Sequence, residues 1–380
     1  MNDNSPNHGL QLTSTLAADG TLRLALAEAP VDAPAADEVL VRLEAVPINP
    51  SDLMPLLAGA DPAAARFGGS AAKPEVAIAL SPEAAQAYAG RVGAALQPGL
   101  AGAGTVIAAG GDAQHLLGRR VTLLSLRRGT FGQYVTVSTS ECAALPDDVS
   151  AREGADAFCN PMTALAIAET VRLDGHTALV HTAAASNLGQ MLVRICAEDG
   201  LPLVNVVRRE EQAALLRDLG AEHVCNSSDP DFAAQLRTAI TATGATVAFD
   251  AIGGGTSPGL LLKAMEDVAA AAMGFYSPYG SLTLKQVNIY GHLDRAPTVL
   301  ENARYGMLWD VCNWAMPRTL ARLAPERIAA MHARVLAGLK TTFASHFTRE
   351  ISLPQVLEPE TMQAYTKLAT GEKFVINPTL

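Results

Sequence analysis

Between Ala178 and Gln190 the chain reads ALVHTAAASNLGQ, a short apolar run that gives way to small residues and then to a helical pattern. A strand that ends in small residues and continues as a helix can bring backbone N–H groups against a pyrophosphate. Nothing bulky stands in the way, and helix starts favour anions. The dinucleotide fingerprint G-x-G-x-x-G falls here on Ala184, Ser186 and Gly189, so only its third glycine is kept. Ala184, Ala185, Ser186, Asn187, Leu188 and Gly189 are therefore the candidate phosphate-binding residues. Ser186 and Asn187 could add side-chain donors, cap the helix, or do both. Nineteen residues after Gly189 stand Arg208 and Arg209, where an acidic residue would bind a ribose 2′-hydroxyl. Two guanidinium groups suit a 2′-phosphate instead, which points to NADPH over NADH. Glu210 and Glu211 follow at once, either as partners for these arginines or as acidic residues suited to the start of the next helix.

A second set of residues could handle protons. Tyr276 and Tyr279 lie in a Gly/Pro-rich segment, and a phenol can donate a proton to an enolate formed by hydride addition. Tyr88 is a further candidate of the same kind, and ordinary packing is the alternative for all three. His181 sits inside an apolar strand pattern and reads as a hydrogen-bonded core histidine, whereas His292 is better placed for an open site. Asp52 reads as a cap of the turn that follows it. Trp309 and Trp314 flank Cys312 and suggest core or interface, while Asp147/Asp148 and Glu153/Asp156 read as solvated linker charges.

The elements that must position these groups fall into two rhythms. Up to about residue 150 the chain is mostly β, with alternating segments such as Glu38 to Val46 between glycines and prolines. An alanine-rich stretch, 61–100, interrupts this region with a short helix near Pro82 and could serve as a lid, a rim or an interface. From about residue 156 strands and helices alternate: Ala178 to His181, then an apolar stripe at Leu188, Met191, Leu192, Ile195 and Cys196, then Pro202 to Val207, Glu210 to Leu219 and Ala245 to Asp250. That alternation implies a parallel sheet with right-handed crossovers. A strand, a helix and a last strand are expected over 342–376.

Composition narrows the class further. The 380 residues suffice for two domains, and 49% hydrophobic with 17% charged residues is ordinary globular composition. A net charge of −10 argues against a general nucleic-acid binder. No leader pattern opens MNDNSPNHGLQL, no apolar stretch is long enough to cross a bilayer, and the five cysteines are scattered without a C-x-x-C. The expectation is a cytoplasmic protein with reduced thiols, no membrane and no disulfide frame.

Several segments together resemble the zinc-free, quinone oxidoreductase-like branch of the medium-chain dehydrogenase/reductase superfamily. They are Asn49-Pro50-Ser51-Asp52-Leu53, Gly102-Ala103-Gly104-Thr105-Val106, Gly118-Arg119-Arg120-Val121, Phe131-Gly132-Gln133-Tyr134-Val135, Leu145 to Ser150, Asn160-Pro161-Met162-Thr163-Ala164, the loop Thr182 to Gly189, and Gly371-Glu372-Lys373-Phe374-Val375. The resemblance implies an α/β protein: a GroES-like, mostly-β substrate domain from 1–155 and 300–380, and a Rossmann doubly wound parallel-sheet NADPH domain from 156–299. It also implies a site in the cleft between them and a homodimer joined along the cofactor-domain sheet edge. By position it places Asn49 and Thr163 near the nicotinamide and Ser227 beside the adenosine. Tyr290 and Gly291 would lie at a strand end that offers backbone groups to the carboxamide, and Lys373, in the segment that resembles the C-terminal strand, would be a cofactor-binding residue.

The departures from relatives matter as much. Zinc alcohol dehydrogenases carry a Cys where this chain has Asn49, and Gly-His-Glu where it has Gly99-Leu100-Ala101. Leu and Ala cannot ligate zinc, and the cysteine-rich structural lobe is missing too. The general-acid Tyr of enoyl-thioester reductases falls on Ala60, and the usual quinone-branch lysine on Gln212. The expected activity is NADPH-dependent hydride transfer, without zinc, to a small electrophile, either a quinone or an α,β-unsaturated carbonyl. Enoyl-thioester reduction, or nucleotide binding with little catalysis, are the alternatives. Asn49, Tyr276 and Tyr279 are the catalytic candidates.

Overall fold

The computed structural model describes residues 6–301 and 304–380. The first five residues of the N-terminal stretch, and residues 302–303, lie outside the described residues. The chain divides into two compact units, Met1–Cys159 with Arg334–Leu380, and Asn160–Ala333.

The first unit is built on two sheets. One runs in the order Arg66–Gly69, Pro74–Ala79, Thr21–Pro30, His8–Leu16, Ala95–Leu96. The other runs Cys142–Ala144, Arg120–Leu124, Ala101–Ala109, Glu38–Pro47, Phe374–Ile376, Arg349–Ile351, with Tyr134–Ser138 also paired to Glu38–Pro47. Alternation in HGLQLTSTL and EVLVRLEAVP turns Leu12, Leu16, Val39, Val41 and Leu43 into one apolar core. The C-terminal strand closes the unit, with Val375 opposite Pro47. The 61–100 segment is not an open flap. Its strand Pro74–Ala79 pairs antiparallel with Thr21 to Ala25 and buries Val76 and Ile78, while the expected helix forms at Pro82–Ala87 with Ser81 as its cap.

The second unit is a six-stranded, all-parallel sheet in the order His223–Asn226, Leu203–Val207, Leu179–Thr182, Val247–Asp250, Lys285–Ile289, Trp309–Asn313. Numbered within the unit this is 3-2-1-4-5-6, the doubly wound order, whose reversal beside strand 1 opens a ligand crevice at the strands' C-terminal ends. The stripe Leu188, Met191, Leu192, Ile195 and Cys196 is buried along helix Asn187–Asp199, as the spacing requires. The expected domain boundaries, 155/156 and 299/300, differ from those of the two units. Strand Trp309–Asn313 pairs in parallel with Lys285–Ile289, which carries residues beyond 300 into the parallel-sheet unit. No described helix is long and apolar enough to cross a membrane.

Candidate active site

In the second unit, strand Leu179–Thr182 ends in a tight corner. Ala183 takes the left-handed conformation at φ 49°, a region where a side chain costs roughly 1 kcal/mol or more. Ser186 then caps helix Asn187–Asp199, its hydroxyl accepting from the Gly189 N–H at 3.1 Å. Gly189 is fixed by space: a Cβ there would lie 2.1 Å from the Ala184 carbonyl oxygen. The third fingerprint glycine is thus kept because the helix start packs directly on the loop. Ala184, Ala185 and Leu188 are buried, and Ser186 and Asn187 are partly exposed at the helix N-terminus.

One strand over, Arg208 and Arg209 follow the buried end of Leu203–Val207. Both are exposed, and neither guanidinium forms an ion pair among the described residues. Glu210 turns instead to Arg217 at 2.6 Å, which leaves the arginine pair uncompensated. Gln212 holds the corner, its carbonyl oxygen accepting from the backbone N–H of Arg208 at 3.1 Å and of Arg209 at 3.2 Å. Ser227 is exposed, and the neighbouring Ser228 hydroxyl donates to the Arg208 carbonyl at 2.7 Å.

At the crossover point a buried network ties three strand ends together. The Thr182 hydroxyl donates to Asp250 Oδ1 at 2.6 Å and accepts from the Ala251 N–H at 2.9 Å. Asp250 also accepts from the Ile252 and Gly253 N–H groups. Gly291 approaches Ala251 so closely that a Cβ would meet its carbonyl oxygen at 2.7 Å. His181 is buried, bonded through Nε2 to the Tyr290 hydroxyl at 2.7 Å, with the two rings stacked. Burial drives the His181 imidazole down to about 3, so it is neutral at physiological pH. Thr163 is half-buried in the first turn of helix Asn160–Leu173, and His292 is exposed.

Tyr276 and Tyr279 do not belong to this end of the unit. Helix Ser257–Ala272 leaves the C-terminal end of Val247–Asp250, and the next strand, Lys285–Ile289, runs parallel to it. The connecting segment 273–284 must therefore lie at the strands' N-terminal ends, opposite the Ala183–Ser186 loop. Both phenols are exposed there, at 89% and 74%. A buried anchor pins the segment: Lys285 Nζ to Glu266 at 2.5 Å and to Ser281 at 3.0 Å.

In the first unit Asn49 and Asp52 open helix Pro50–Leu57. Asp52 caps as expected, accepting from the Asn49 N–H at 2.7 Å. The Asn49 amide donates to Asp156 Oδ1 at 3.0 Å, and the other Asp156 oxygen takes the Lys373 ammonium. Asp156 is therefore a fully buried ion-pair partner rather than a solvated linker charge, and the Lys373 ammonium is committed to it. Asp52 Oδ1 has no hydrogen-bond partner among the described residues. Burial pushes the Asp52 carboxyl up to about 7. The Asn49 N–H works against that rise and the nearby Asp156 charge adds to it. Among the described residues no three His, Cys, Asp or Glu side chains form a group able to hold a metal ion.

The family model described as zinc-binding dehydrogenase matches residues 188–303. The mitochondrial enoyl-[acyl-carrier-protein] reductase of Xenopus tropicalis is 31% identical over 199 residues, covering 50% of this chain and 48% of that protein. The chain spans about half the length, or less, of the curated relatives it matches. A solved NADPH:quinone reductase from Mesorhizobium loti superposes with a TM-score of 0.72 at 23% identity, covering 99% of this chain and all of the other. A mycobacterial protein complexed with NADPH gives 0.66 at 18% identity, covering 97% of this chain and all of the other. Residues 188–303 are thus similar to the zinc-binding dehydrogenase family, and the chain shares the fold of these solved structures along nearly its whole length.

Proposed function

We propose that the chain is an NADPH-dependent oxidoreductase that passes a hydride, without zinc, to a quinone or to the β-carbon of an α,β-unsaturated carbonyl. The observation that carries this reading is the tight Ala183–Gly189 loop with two arginines free of ion pairs at the next strand end. The residues present fit a phosphorylated dinucleotide. The loop carries only small side chains from Ala183 to Ser186, the helix start behind it presents N–H groups to an anion, and Arg208 and Arg209 offer forked donors to a 2′-phosphate. Ala184, Ala185, Ser186, Asn187, Leu188 and Gly189 would hold the pyrophosphate, with Ser227 beside the adenosine and Thr163, Tyr290 and Gly291 toward the nicotinamide.

When bound, the reduced nicotinamide supplies the hydride. The chain's own part is orientation and hydrogen bonding to the oxygen on which charge develops. Asn49, Leu100 and Ala101 stand where zinc alcohol dehydrogenases carry ligands, which supports the zinc-independent branch. Likeness to an enoyl-thioester reductase keeps that substrate class as the second reading, although Ala60 stands where its general-acid Tyr would be. A homodimer along the Trp309–Asn313 edge is the assembly this reading carries.

The test is NADPH oxidation against a panel of quinones, enones and enoyl thioesters. Turnover with at least one quinone or enone is expected. Tight binding without turnover on any member would favour a non-catalytic nucleotide-binding protein, and no NADPH binding would overturn the reading altogether. Replacing Arg208 and Arg209 together by Ala is expected to weaken NADPH roughly tenfold or more while leaving NADH unchanged.

A further inference from the structure

The corner that carries Arg208 and Arg209 is exposed, yet side chains from two elements tie down its backbone. Gln212 Oε1 accepts from the Arg208 N–H at 3.1 Å and from the Arg209 N–H at 3.2 Å. The Ser228 hydroxyl donates to the Arg208 carbonyl at 2.7 Å. Ser228 is itself held, its N–H donating to Asn226 Oδ1 at 3.1 Å, while the Asn226 amide donates to Asp229 at 2.9 Å. The Ser227 N–H closes the same corner on the Val207 carbonyl at 2.7 Å. Both polar backbone groups of Arg208 are thus bonded within the protein, although an exposed corner could leave them to water.

Local preference does not ask for this arrangement. Arg209 is the N-cap of helix Glu210–Asp218, in extended conformation at φ −136°. N-caps are usually Ser, Thr, Asp or Asn, whose side chains accept from the free N–H groups of the first turn. A guanidinium has no acceptor, and a cation at a helix N-terminus opposes the dipole. In the first turn Glu210 pairs with Arg217, and Glu211 makes no ion pair among the described residues, so neither carboxylate is bonded to the two arginines. Gln212 takes over part of the capping by reaching back to the Arg209 N–H. Two N–H donors converge on one side-chain atom, so that atom must be the amide oxygen. A lysine at 212 would add a third cation, but an ammonium only donates, and both N–H groups would be released. The chain has two cations on a fixed backbone instead.

We propose that Gln212 and Ser228 are positioning residues that fix the backbone of Arg208 and Arg209, and that Gln212 thereby sets the preference for a 2′-phosphorylated dinucleotide. Neither residue touches the phosphate in this scheme; each acts through the backbone of the arginine pair. The direction in which each arginine leaves the chain is set in advance, so less order has to be gained when a phosphate binds. The preference rests on the cofactor proposed above, whereas the three backbone bonds do not.

Two measurements on the full chain test this. In the first, hydrogen exchange of 15N-arginine amides without cofactor compares the wild type with Gln212→Met, which keeps the length and loses the acceptor. The Arg208 and Arg209 amides should exchange at least about threefold faster in the variant. No change in their exchange would overturn the positioning role whatever the protein binds. In the second, fluorescence titration gives the Kd of NADPH and of NADH. Gln212→Met should raise the NADPH Kd roughly threefold to tenfold and leave the NADH Kd within about twofold. Ser228→Ala should act in the same direction more weakly, and Ser228→Thr should restore the wild-type values. Equal weakening of both cofactors would reduce Gln212 to a helix cap and overturn its part in the preference, as would an unchanged ratio. Wild-type protein that does not favour NADPH would sink the cofactor reading and the preference with it. The exchange result would still decide whether the corner is fixed.

Discussion

Each unit of this chain buries one polar cluster beside residues that the sequence marks as candidates, and the two clusters follow opposite electrostatic designs. In the first unit two carboxyl groups, Asp52 and Asp156, lie near one ammonium, Lys373, which bonds to Asp156, and Asn49 is bonded to both aspartates. In the second, His181 and Tyr290 are neutral, and the imidazole is driven so low that no physiological pH charges it. The lesson is that burial alone does not set the role of a polar group. Where opposite charge is scarce, as around Asp52, burial creates a group that titrates near neutrality. Where the partner is itself neutral, burial removes titration and leaves an uncharged hydrogen bond.

The comparison can be broken most forcefully at Lys373. Lys373→Met leaves Asp156 buried without its cation and is expected to cost about 3–5 kcal/mol in denaturant unfolding. A loss below about 1 kcal/mol would mean the pair is dispensable to the fold.

Asp52→Asn sharpens the same side of the comparison. Asp52 is about 7 in the fold against 3.8 ordinarily, so between those values the folded state holds the extra proton. Its contribution to stability is therefore fully retained only below about pH 4 and falls as pH rises to about 7. In the Asp52→Asn variant that downward slope should disappear, which melting points across pH 4–8 would show. An unchanged slope would assign it to another group.

In the second unit Gly189→Ala pushes a methyl onto the Ala184 carbonyl and is expected to cost about 1–3 kcal/mol. Dinucleotide binding, read by fluorescence titration, should weaken with it. The smallest effect is expected at the opposite end of the sheet. Tyr276→Ala with Tyr279→Ala should alter stability by no more than about 0.5 kcal/mol and leave NADPH oxidation as it was.

What could be seen in the sequence was what is local. The Leu188–Cys196 stripe, the Ser186 cap and the crowded Gly189 all follow from neighbours a few residues apart, and so the parallel-sheet unit was legible. Strand Trp309–Asn313 was not, because an edge strand with mixed exposure has no clean alternation to show. Pro74–Ala79 hid in an alanine-rich stretch whose pairing partner lies some fifty residues earlier. The site charges were missed for the same reason of distance. Asp156 meets Lys373 across 217 residues and His181 meets Tyr290 across 109, and no spacing rule reaches that far. Tyr276 and Tyr279 were misplaced because composition marks a loop without saying at which end of the sheet it lies; only the parallel direction of Lys285–Ile289 decides that.

The most direct test of the account is the ratio of dissociation constants for NADPH and NADH on the unmodified chain, read by quenching of protein fluorescence. Two arginines without ion-pair partners at the second strand end predict NADPH at least about tenfold tighter, roughly 1.4 kcal/mol. Equal affinities, or a preference for NADH, would contradict the assignment of Arg208 and Arg209 and with it the cofactor on which the proposed reaction depends.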